Sequence, residues 1–246
     1  MIEQLDTDYL IIGAGASGMA FADEIMSQSE SVRIIMVDRR AMPGGHWNNA
    51  YSFVTLHQPA AFYGVNSEKL EKGPEDFASR DMILAYYDRV MEKLCATGRV
   101  QFFGECDYLG DGRFKSLNAD GQEYHVTPRL RTVDATYTNV SVPSTRPPPY
   151  TVAEGMHAVP INALADLDRT WSRYVVIGAG KTGMDALFHL LGMGTDPDQI
   201  TWVVSHDVWL INRDVMKLDI FASIFTKQLR QTCLATDVDD YFRRFE

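Results

Sequence analysis

The feature that most constrains the fold is a glycine motif that occurs twice. Residues 13–18 read G-A-G-A-S-G and residues 178–183 read G-A-G-K-T-G, and each motif follows a short apolar run. Such a run favours a buried parallel strand, and a helix-compatible stretch follows each motif. In G-x-G-x-x-G the glycines allow a tight turn, close approach to a pyrophosphate, and close packing of helix on strand. We therefore predict an α/β fold with two Rossmann-like dinucleotide-binding units, built from parallel sheets and helices.

The first motif is followed by a candidate ribose ligand. Residues 32–37 predict a second strand that ends at Asp38, 20 residues after Gly18. A carboxylate at this position accepts hydrogen bonds from the ribose of a dinucleotide. In the alternative interpretation Asp38 only terminates the strand, but the order of strand, glycines and acid favours ribose binding.

The second motif lacks an acid at the corresponding strand tip. Residues 200–204 predict a strand, and Ser205 and His206 follow it before Asp207. The missing carboxylate removes repulsion against a 2′-phosphate, which favours NADP over NAD. Ser205 and His206 are candidates to contact that phosphate, whereas Asp207 would serve a ribose in the alternative. Lys181, inside the motif, either lies near the cofactor phosphates or is a solvated surface lysine.

The segment between the two motifs predicts a helix and a group of short strands. Apolar residues recur at spacings of three and four over 75–95, which indicates a helix. From 100 to 136 the pattern changes to short strands, with Asp-Gly hairpin signals at 111–112 and 120–121. We predict an antiparallel β-meander for this stretch, followed by an extended proline-rich segment.

These elements divide the chain into three parts. We predict a first dinucleotide-binding domain with its meander at 1–142 and a proline-rich linker at 143–169. A second dinucleotide-binding domain would occupy 170–246. A first part of this length is a normal domain size.

Composition narrows the functional classes. The net charge of −10 disfavours broad nucleic-acid binding, since phosphate contacts need concentrated lysine and arginine. Cys95, Cys106 and Cys233 form no C-x-x-C pair, which excludes a redox-active cysteine pair and a cysteine-based metal site. No apolar run approaches the ~20 residues of a membrane span, and the acidic N-terminus is unlike a targeting peptide. We therefore predict a cytoplasmic protein whose partners include neither nucleic acid nor membrane.

With two such units separated by a meander, the chain resembles the two-dinucleotide-binding-domain flavoproteins. Residues 44–47, G-G-H-W, resemble the G-G-x-W stretch of flavin-containing and Baeyer–Villiger-type monooxygenases. Residues 134–136 resemble the Ala-Thr-Gly connection between the two domains, with Tyr137 where glycine is usual. The resemblance implies FAD in the first unit and NADPH in the second. It also implies hydride transfer from NADPH to FAD, then O2 activation on a small organic substrate.

The resemblance also assigns roles to residues. The predicted FAD-binding residues are Gly13, Gly15, Ala16, Ser17, Gly18, Asp38, Arg39, Gly45, His46, Trp47, His57 and Gln58. The predicted NADPH-binding residues are Gly178, Gly180, Lys181, Thr182, Gly183 and Ser205, and Arg213 is a more distant candidate. The family signature F-x-G-x-x-x-H is not intact, so His157 is either a degenerate remnant or an ordinary loop histidine. No catalytic acid, base or nucleophile is predicted.

The stretch after Gly183 leads to a further expectation. In the family the chain completes the NADPH domain and then returns to cover the flavin, and this stretch is too short for both. The sequence thus resembles the N-terminal portion of such a flavoprotein, with a partner subunit or a homo-oligomer completing the flavin site. Two alternatives stay open: a non-catalytic nucleotide-binding protein or one subunit of a split flavoprotein, and a flavin reductase or NADPH oxidase. Residues 214–245 predict one or two amphipathic helices, for core packing or for a partner.

Overall fold

The computed structural model describes residues 2–70, 77–119, 121–136, 150–167, 169–206, 209–210 and 218–243. Two compact units, residues 1–205 and 206–246, are defined by their internal contacts. Several sequence predictions fall outside the described residues: Asp120 of the second hairpin signal, Tyr137, the proline-rich stretch 143–149, Asp207 and Arg213. In the described part of the chain, no helix is long and apolar enough to cross a bilayer.

The first compact unit contains both strands and helices. The strands are β1 (Ile2–Leu5), β2 (Tyr9–Ile12), β3 (Ile34–Val37), β4 (Val100–Phe103), β5 (Cys106–Gly110), β6 (Arg113–Ser116), β7 (Glu123–Val126), β8 (Arg131–Asp134), β9 (Tyr174–Ile177) and β10 (Ile200–Val203). The helices are α1 (Ala16–Gln28), α2 (Arg80–Ala96) and α3 (Lys181–Gly192). Short 3-10 turns lie at Gly45–Asn49, Ala60–Phe62, Ile161–Leu164 and Pro197–Gln199.

The first glycine motif lies in a four-stranded parallel sheet. Its strand order is β4-β3-β2-β8, and β2 is central, with Tyr9 opposite Ile34 on one side and Arg131 on the other. This arrangement is the strand order of a Rossmann half-fold, in which the ligand crevice lies at the carboxyl ends of the strands. The predicted α/β class with parallel sheets and helices is confirmed.

The parallel sheet is covered on both faces. Ile11, Ile34 and Met36 pack with apolar residues of α1 and α2 in one cluster, and Leu10 and Ile35 belong to a second cluster on the opposite face. The second cluster includes residues of β5, β6 and β7, so the meander covers the face that the helices leave open. Burial on both faces explains why β2 and β3 are continuously apolar.

The predicted meander is correct for its centre and wrong for its ends. β5, β6 and β7 pair antiparallel, and β1 adds to β7 as a parallel strand that the sequence reading did not predict. The predicted meander strands at 100–103 and 131–136 instead join the parallel sheet as β4 and β8. Short strands carry no local signal for the sheet they join, because pairing is decided by long-range contacts. The hairpin signal at 111–112 is confirmed between β5 and β6, with positive φ at Asp111 and Gly112.

The second glycine motif lies in a smaller parallel sheet of the first compact unit. β9 and β10 pair in parallel, with Tyr174 opposite Ile200, and α3 follows the motif directly. Among its described residues, the second compact unit contains α4 (Leu218–Leu234) and α5 (Val238–Arg243), in agreement with the one or two helices predicted for residues 214–245. The carboxylate of Asp237 accepts a hydrogen bond from the Asp240 backbone N–H, which caps the start of α5.

Candidate dinucleotide-binding sites

The first glycine loop has room only for glycine at two of its three motif positions. A Cβ on Gly18 would lie 2.0 Å from the Gly13 carbonyl oxygen, and a Cβ on Gly13 would lie 2.9 Å from Thr136 Cγ2. Gly13 also has φ +99°, a conformation that glycine adopts without strain. These contacts bring α1 close against β2, as the motif predicts. The packing therefore aims the N-terminus of α1 at the space beyond the strand ends.

The N-terminus of α1 is open to an anion. Gly15 occupies the N-cap position, no side chain of the described residues caps the helix, and its first turn holds no acid. The first N–H groups of a helix lack intrahelical acceptors and carry a partial positive charge, which suits a phosphate. The local geometry therefore fits the pyrophosphate of a dinucleotide.

Asp38 lies beside this loop at the end of β3. One carboxylate oxygen accepts a hydrogen bond of 2.7 Å from the Ala14 backbone N–H, and the other accepts one of 2.8 Å from the Arg40 backbone N–H. The residue is only 7% exposed, and each oxygen retains a further lone pair. The structure thus brings the predicted ribose ligand to the glycine loop. Arg39 faces elsewhere, because its exposed guanidinium pairs with Asp107 of β5 at 3.2 Å.

The turn at Gly44 and Gly45 packs directly against the same loop. The Gly44 backbone N–H donates to the Ala14 carbonyl oxygen at 2.8 Å, and both glycines have positive φ. A Cβ on Gly45 would lie 2.9 Å from the Gly15 Cα, so the two backbones approach more closely than any side chain allows. The G-G pair that carries the family resemblance therefore has a structural position beside the candidate pyrophosphate site.

Trp47 and His46 follow this turn. Trp47 is 7% exposed and donates its indole N–H to the Tyr63 hydroxyl at 2.5 Å, so it packs in the core. Arg80 of α2 donates to the Trp47 carbonyl oxygen at 3.1 Å and thereby fixes the turn. The His46 ring stacks on Trp47 at 5.5 Å, and burial, with the nearby Arg40 charge, lowers the pKa of His46. His46 is consequently neutral at pH 7.

The segment that contains His57 and Gln58 is hydrogen-bonded to residues near the start of α2. Its backbone contacts residues around the start of that helix: the Leu56 N–H donates to the Ala78 carbonyl oxygen, and the Arg80 N–H donates to the Val54 carbonyl oxygen. His57 is exposed and Gln58 is half-buried. The two side chains therefore lie at the surface of an anchored segment.

The second glycine loop repeats the packing of the first. A Cβ on Gly183 would lie 2.4 Å from the Gly178 carbonyl oxygen, and Gly178 has φ +121°. A Cβ on Gly180 would meet no atom of the described structure within 4 Å, so this glycine faces open space. Gly180 is the N-cap of α3, and no described side chain caps that helix. Ser205 is exposed two residues beyond β10, at the carboxyl end of the small sheet.

Lys181 is half-buried and contacts two groups. Its ammonium donates to the Thr55 carbonyl oxygen at 2.7 Å and forms an ion pair with Asp185, one helical turn further along α3. The structure therefore connects the second glycine loop to the segment that leads to His57 and Gln58.

Sequence reasoning missed the residues that complete this connection. Asp185 and His189 of α3 contact Tyr51 and Phe53. Their spacing of four, together with Lys181, in an otherwise largely apolar helix was the available signal. His157, in contrast, stacks on Trp171 at 4.9 Å, a packing contact that ties the segment before β9 together.

The parallel sheet, the two glycine loops and the helices that follow them form a Rossmann-like fold. Residues 11–80 match the model of the NAD(P)-binding Rossmann-like domain family. The structure is similar to a flavin-containing monooxygenase from Stenotrophomonas maltophilia, with a TM-score of 0.57 and 20% identity over 85% of this chain and 61% of that chain. It is also similar to a bacillithiol disulfide reductase from Staphylococcus aureus, with a TM-score of 0.53 and 15% identity over 90% of this chain and 63% of that chain. The predicted resemblance to two-domain flavoproteins is thus confirmed for the fold.

Among curated proteins, the chain is similar to the uncharacterized protein Rv2000 of Mycobacterium tuberculosis. The two are 46% identical, over 98% of this chain and 47% of the relative. The uncharacterized protein Mb2023 of Mycobacterium bovis matches to the same extent. The chain therefore spans about half the length of the curated relatives it matches.

Proposed function

We propose that this chain binds FAD at its first glycine loop and NADPH at its second, as part of a monooxygenase-like flavin-dependent oxidoreductase. The observation that carries the proposal is the repeated pairing of a glycine loop with an uncapped helix N-terminus at α1 and α3. The likeness of the whole fold to flavin-dependent oxidoreductases supports it. Bound FAD would supply electron transfer from NADPH to O2, with oxygenation of a small organic substrate.

The residues around the first glycine loop fit FAD by their polar chemistry. The N–H groups at the start of α1 would bind the pyrophosphate, and the remaining lone pairs of the Asp38 carboxylate would accept from the adenosine ribose. The close Gly15–Gly45 backbone contact keeps side chains away from this site. His46, held neutral by burial, offers hydrogen bonding without adding charge.

The residues around the second glycine loop fit NADPH in the same way. The N–H groups at the start of α3 and the open space beside Gly180 would accept the pyrophosphate, with Ser205 near the 2′-phosphate. The identity of the substrate lies with loops outside these motifs. A cytoplasmic location and completion of the flavin site by a partner subunit or a homo-oligomer are part of the same proposal.

The spectrum of the purified chain tests the proposal. We expect the protein to take up FAD, to show a flavin absorption band, to bleach with NADPH and to recover in air. A colourless chain that takes up no added FAD would contradict it and would favour the non-catalytic nucleotide-binding alternative. Peroxide release equal to NADPH consumption, with every substrate offered, would instead identify a flavin reductase or NADPH oxidase.

A further inference from the structure

One face of α3 contacts the segment that precedes His57 and Gln58, two of the predicted FAD-binding residues, which we call the flavin-facing residues. The face comprises Lys181, Asp185 and His189, which are spaced by four residues and share one side of the helix. The contacted residues are Tyr51, Phe53 and Thr55, which are spaced by two. We call these three helix residues the α3 contact face. Residues 52–53 form a turn, in which the Val54 N–H donates to the Tyr51 carbonyl oxygen at 3.1 Å. The α3 contact face therefore joins the second glycine loop to this turn.

The contacts at this face are polar at two positions and aromatic at the third. Tyr51 donates its hydroxyl proton to the Asp185 carboxylate at 2.5 Å, and the same carboxylate pairs with Lys181. Lys181 donates a further hydrogen bond to the Thr55 carbonyl oxygen at 2.7 Å. The rings of Phe53 and His189 stack at 3.8 Å and 9°. Every member of the face therefore contacts the segment or another member.

These groups are largely removed from water. The side chains of Asp185 and Lys181 are 15% and 32% exposed, and Tyr51 is 7% exposed. Burial, followed by the Asp185 hydrogen bond and charge, raises the pKa of Tyr51, so its hydroxyl remains a donor. If either Lys181 or Asp185 moved away from the other, an uncompensated charge would remain in a largely buried position. The ion pair therefore disfavours a rearrangement of the contact.

The contact has a direct consequence for the candidate flavin site. Thr55 is two residues before His57, and the other side of the segment is already hydrogen-bonded near the start of α2. We propose that Lys181 and Asp185 are positioning residues that hold segment 51–58 against the second glycine loop and so align the flavin-facing residues with the NADPH unit. Alignment of the two cofactors rests on the proposed function, whereas the contact itself does not.

As a positioning residue, Lys181 differs from the phosphate ligand that its place in the glycine motif predicts. Its ammonium is paired with the Asp185 carboxylate and donates to the Thr55 backbone carbonyl oxygen. Lys181 consequently contributes to the relative placement of two segments and little to phosphate affinity. A lysine that bound the pyrophosphate would have to leave both partners.

Amide hydrogen exchange of the full chain tests the contact without any cofactor. Lys181→Met and Asp185→Asn should raise exchange at residues 51–58 by about tenfold, since local opening then needs less energy. Tyr51→Phe, which removes one hydroxyl, should give a smaller rise in the same segment. Lys93→Met, which removes the ion pair between Lys93 of α2 and Glu68, is the matched control and should leave exchange at 51–58 unchanged. Unchanged exchange in K181M, or an equal rise throughout β2 and β3, would overturn the proposal.

Rapid-reaction kinetics of the FAD-loaded chain test the alignment. Lys181→Met should slow flavin reduction by NADPH about tenfold at saturation, because small misplacements of reacting groups are costly. The Kd for NADPH should stay within about twofold of wild type, since no phosphate ligand is lost. A large rise in Kd with an unchanged limiting rate would instead make Lys181 a phosphate ligand and overturn the proposal. If the wild-type chain takes up no FAD, the proposed function fails, and the exchange experiment alone decides the contact.

Discussion

At the scale of single residues, the second glycine loop contains one glycine that packing requires and one that it does not. Gly183 is required by packing, because a Cβ there would meet the Gly178 carbonyl oxygen at 2.4 Å. That carbonyl also accepts the Trp202 indole N–H at 2.8 Å and therefore has little freedom to move. Gly180, three residues earlier, has nothing within 4 Å of an added Cβ among the described residues. Packing therefore does not require glycine at this position, which is consistent with the NADPH site proposed there.

Alanine substitutions should resolve these two roles. Gly183→Ala should lower the free energy of unfolding by about 2 kcal/mol, as expected for a backbone clash. Gly180→Ala should change it by less than about 1 kcal/mol, since only N-cap preference is altered. The same Gly180→Ala change should weaken NADPH binding about tenfold, because the methyl group occupies the space of the pyrophosphate. Chemical denaturation and NADPH titration provide the measurements.

Gly192→Ala is the matched control for this pair. Gly192 is the last residue of α3, and an added Cβ there also meets nothing within 4 Å of the described structure. We expect both stability and NADPH affinity close to wild type. Equal NADPH affinities for Gly180→Ala and Gly192→Ala would argue against a dinucleotide at α3.

At the scale of elements, three aromatic rings join the parallel sheet to the meander. Phe103 of β4, Phe114 of β6 and Tyr124 of β7 have ring centroids 4.9–5.1 Å apart in each pair. Phe114 is fully buried. Rings at such distances contribute dispersion and edge-to-face attraction in addition to buried apolar area. The cluster therefore fixes the meander on the face of the sheet opposite α1 and α2.

Replacement of Phe114 by alanine should show how much this aromatic cluster stabilises the fold. Phe114→Ala should lower the free energy of unfolding by about 3–5 kcal/mol, through lost burial and the cavity left behind. Leu109→Ala on β5 is the control, because Leu109 is 49% exposed and should cost less than about 0.5 kcal/mol. Urea denaturation followed by circular dichroism measures both. A Phe114→Ala loss as small as that of Leu109→Ala would mean that the meander does not pack on the sheet.

At the scale of the whole molecule, the first unit buries phenolic hydroxyl groups. Burial is the largest cause that raises the pKa of Tyr51, Tyr63, Tyr86 and Tyr87 above the usual value. Tyr86 also uses its hydroxyl structurally, accepting from the Val65 N–H at 2.7 Å and donating to the Glu68 carbonyl oxygen at 2.5 Å. The folded state therefore requires these phenols to stay protonated.

This requirement predicts alkaline destabilisation. Unfolded tyrosine loses its proton near pH 10, whereas the buried groups retain theirs, so the native state then binds more protons. The stability present below pH 10 should fall above it by about 1.4 kcal/mol per pH unit for each of Tyr51 and Tyr87, whose pKa values are raised most. Tyr87→Phe should reduce the slope of the free energy of unfolding against pH by about the contribution of one tyrosine. Tyr150→Phe, at an exposed position, should leave it as in wild type.

Denaturation midpoints between pH 8 and pH 11 measure the effect. A slope in Tyr87→Phe identical to that of wild type would show that Tyr87 ionises as easily in the fold as in the unfolded chain. Stability that rises with pH in this range would contradict the predicted sign altogether.

The sequence by itself determined the parts of this protein that depend on local chemistry. Both glycine loops, the strands before them, α1 and the Asp111–Gly112 hairpin were predictable, because strand periodicity, turn residues and glycine's conformational freedom act over a few residues. The position of Asp38 beside the first loop was predictable for the same reason, since a fixed βαβ spacing places it there.

Only the tertiary structure decided what depends on distant partners. It assigned β4 and β8 to the parallel sheet and added β1 to the meander, since backbone hydrogen bonds carry no residue-specific signal for their partner. It also directed Lys181 to the Thr55 carbonyl oxygen and Asp185 to Tyr51, across more than a hundred residues of chain. A side chain in a binding motif has several possible partners within reach, and the packing of α3 on segment 51–55 selects among them.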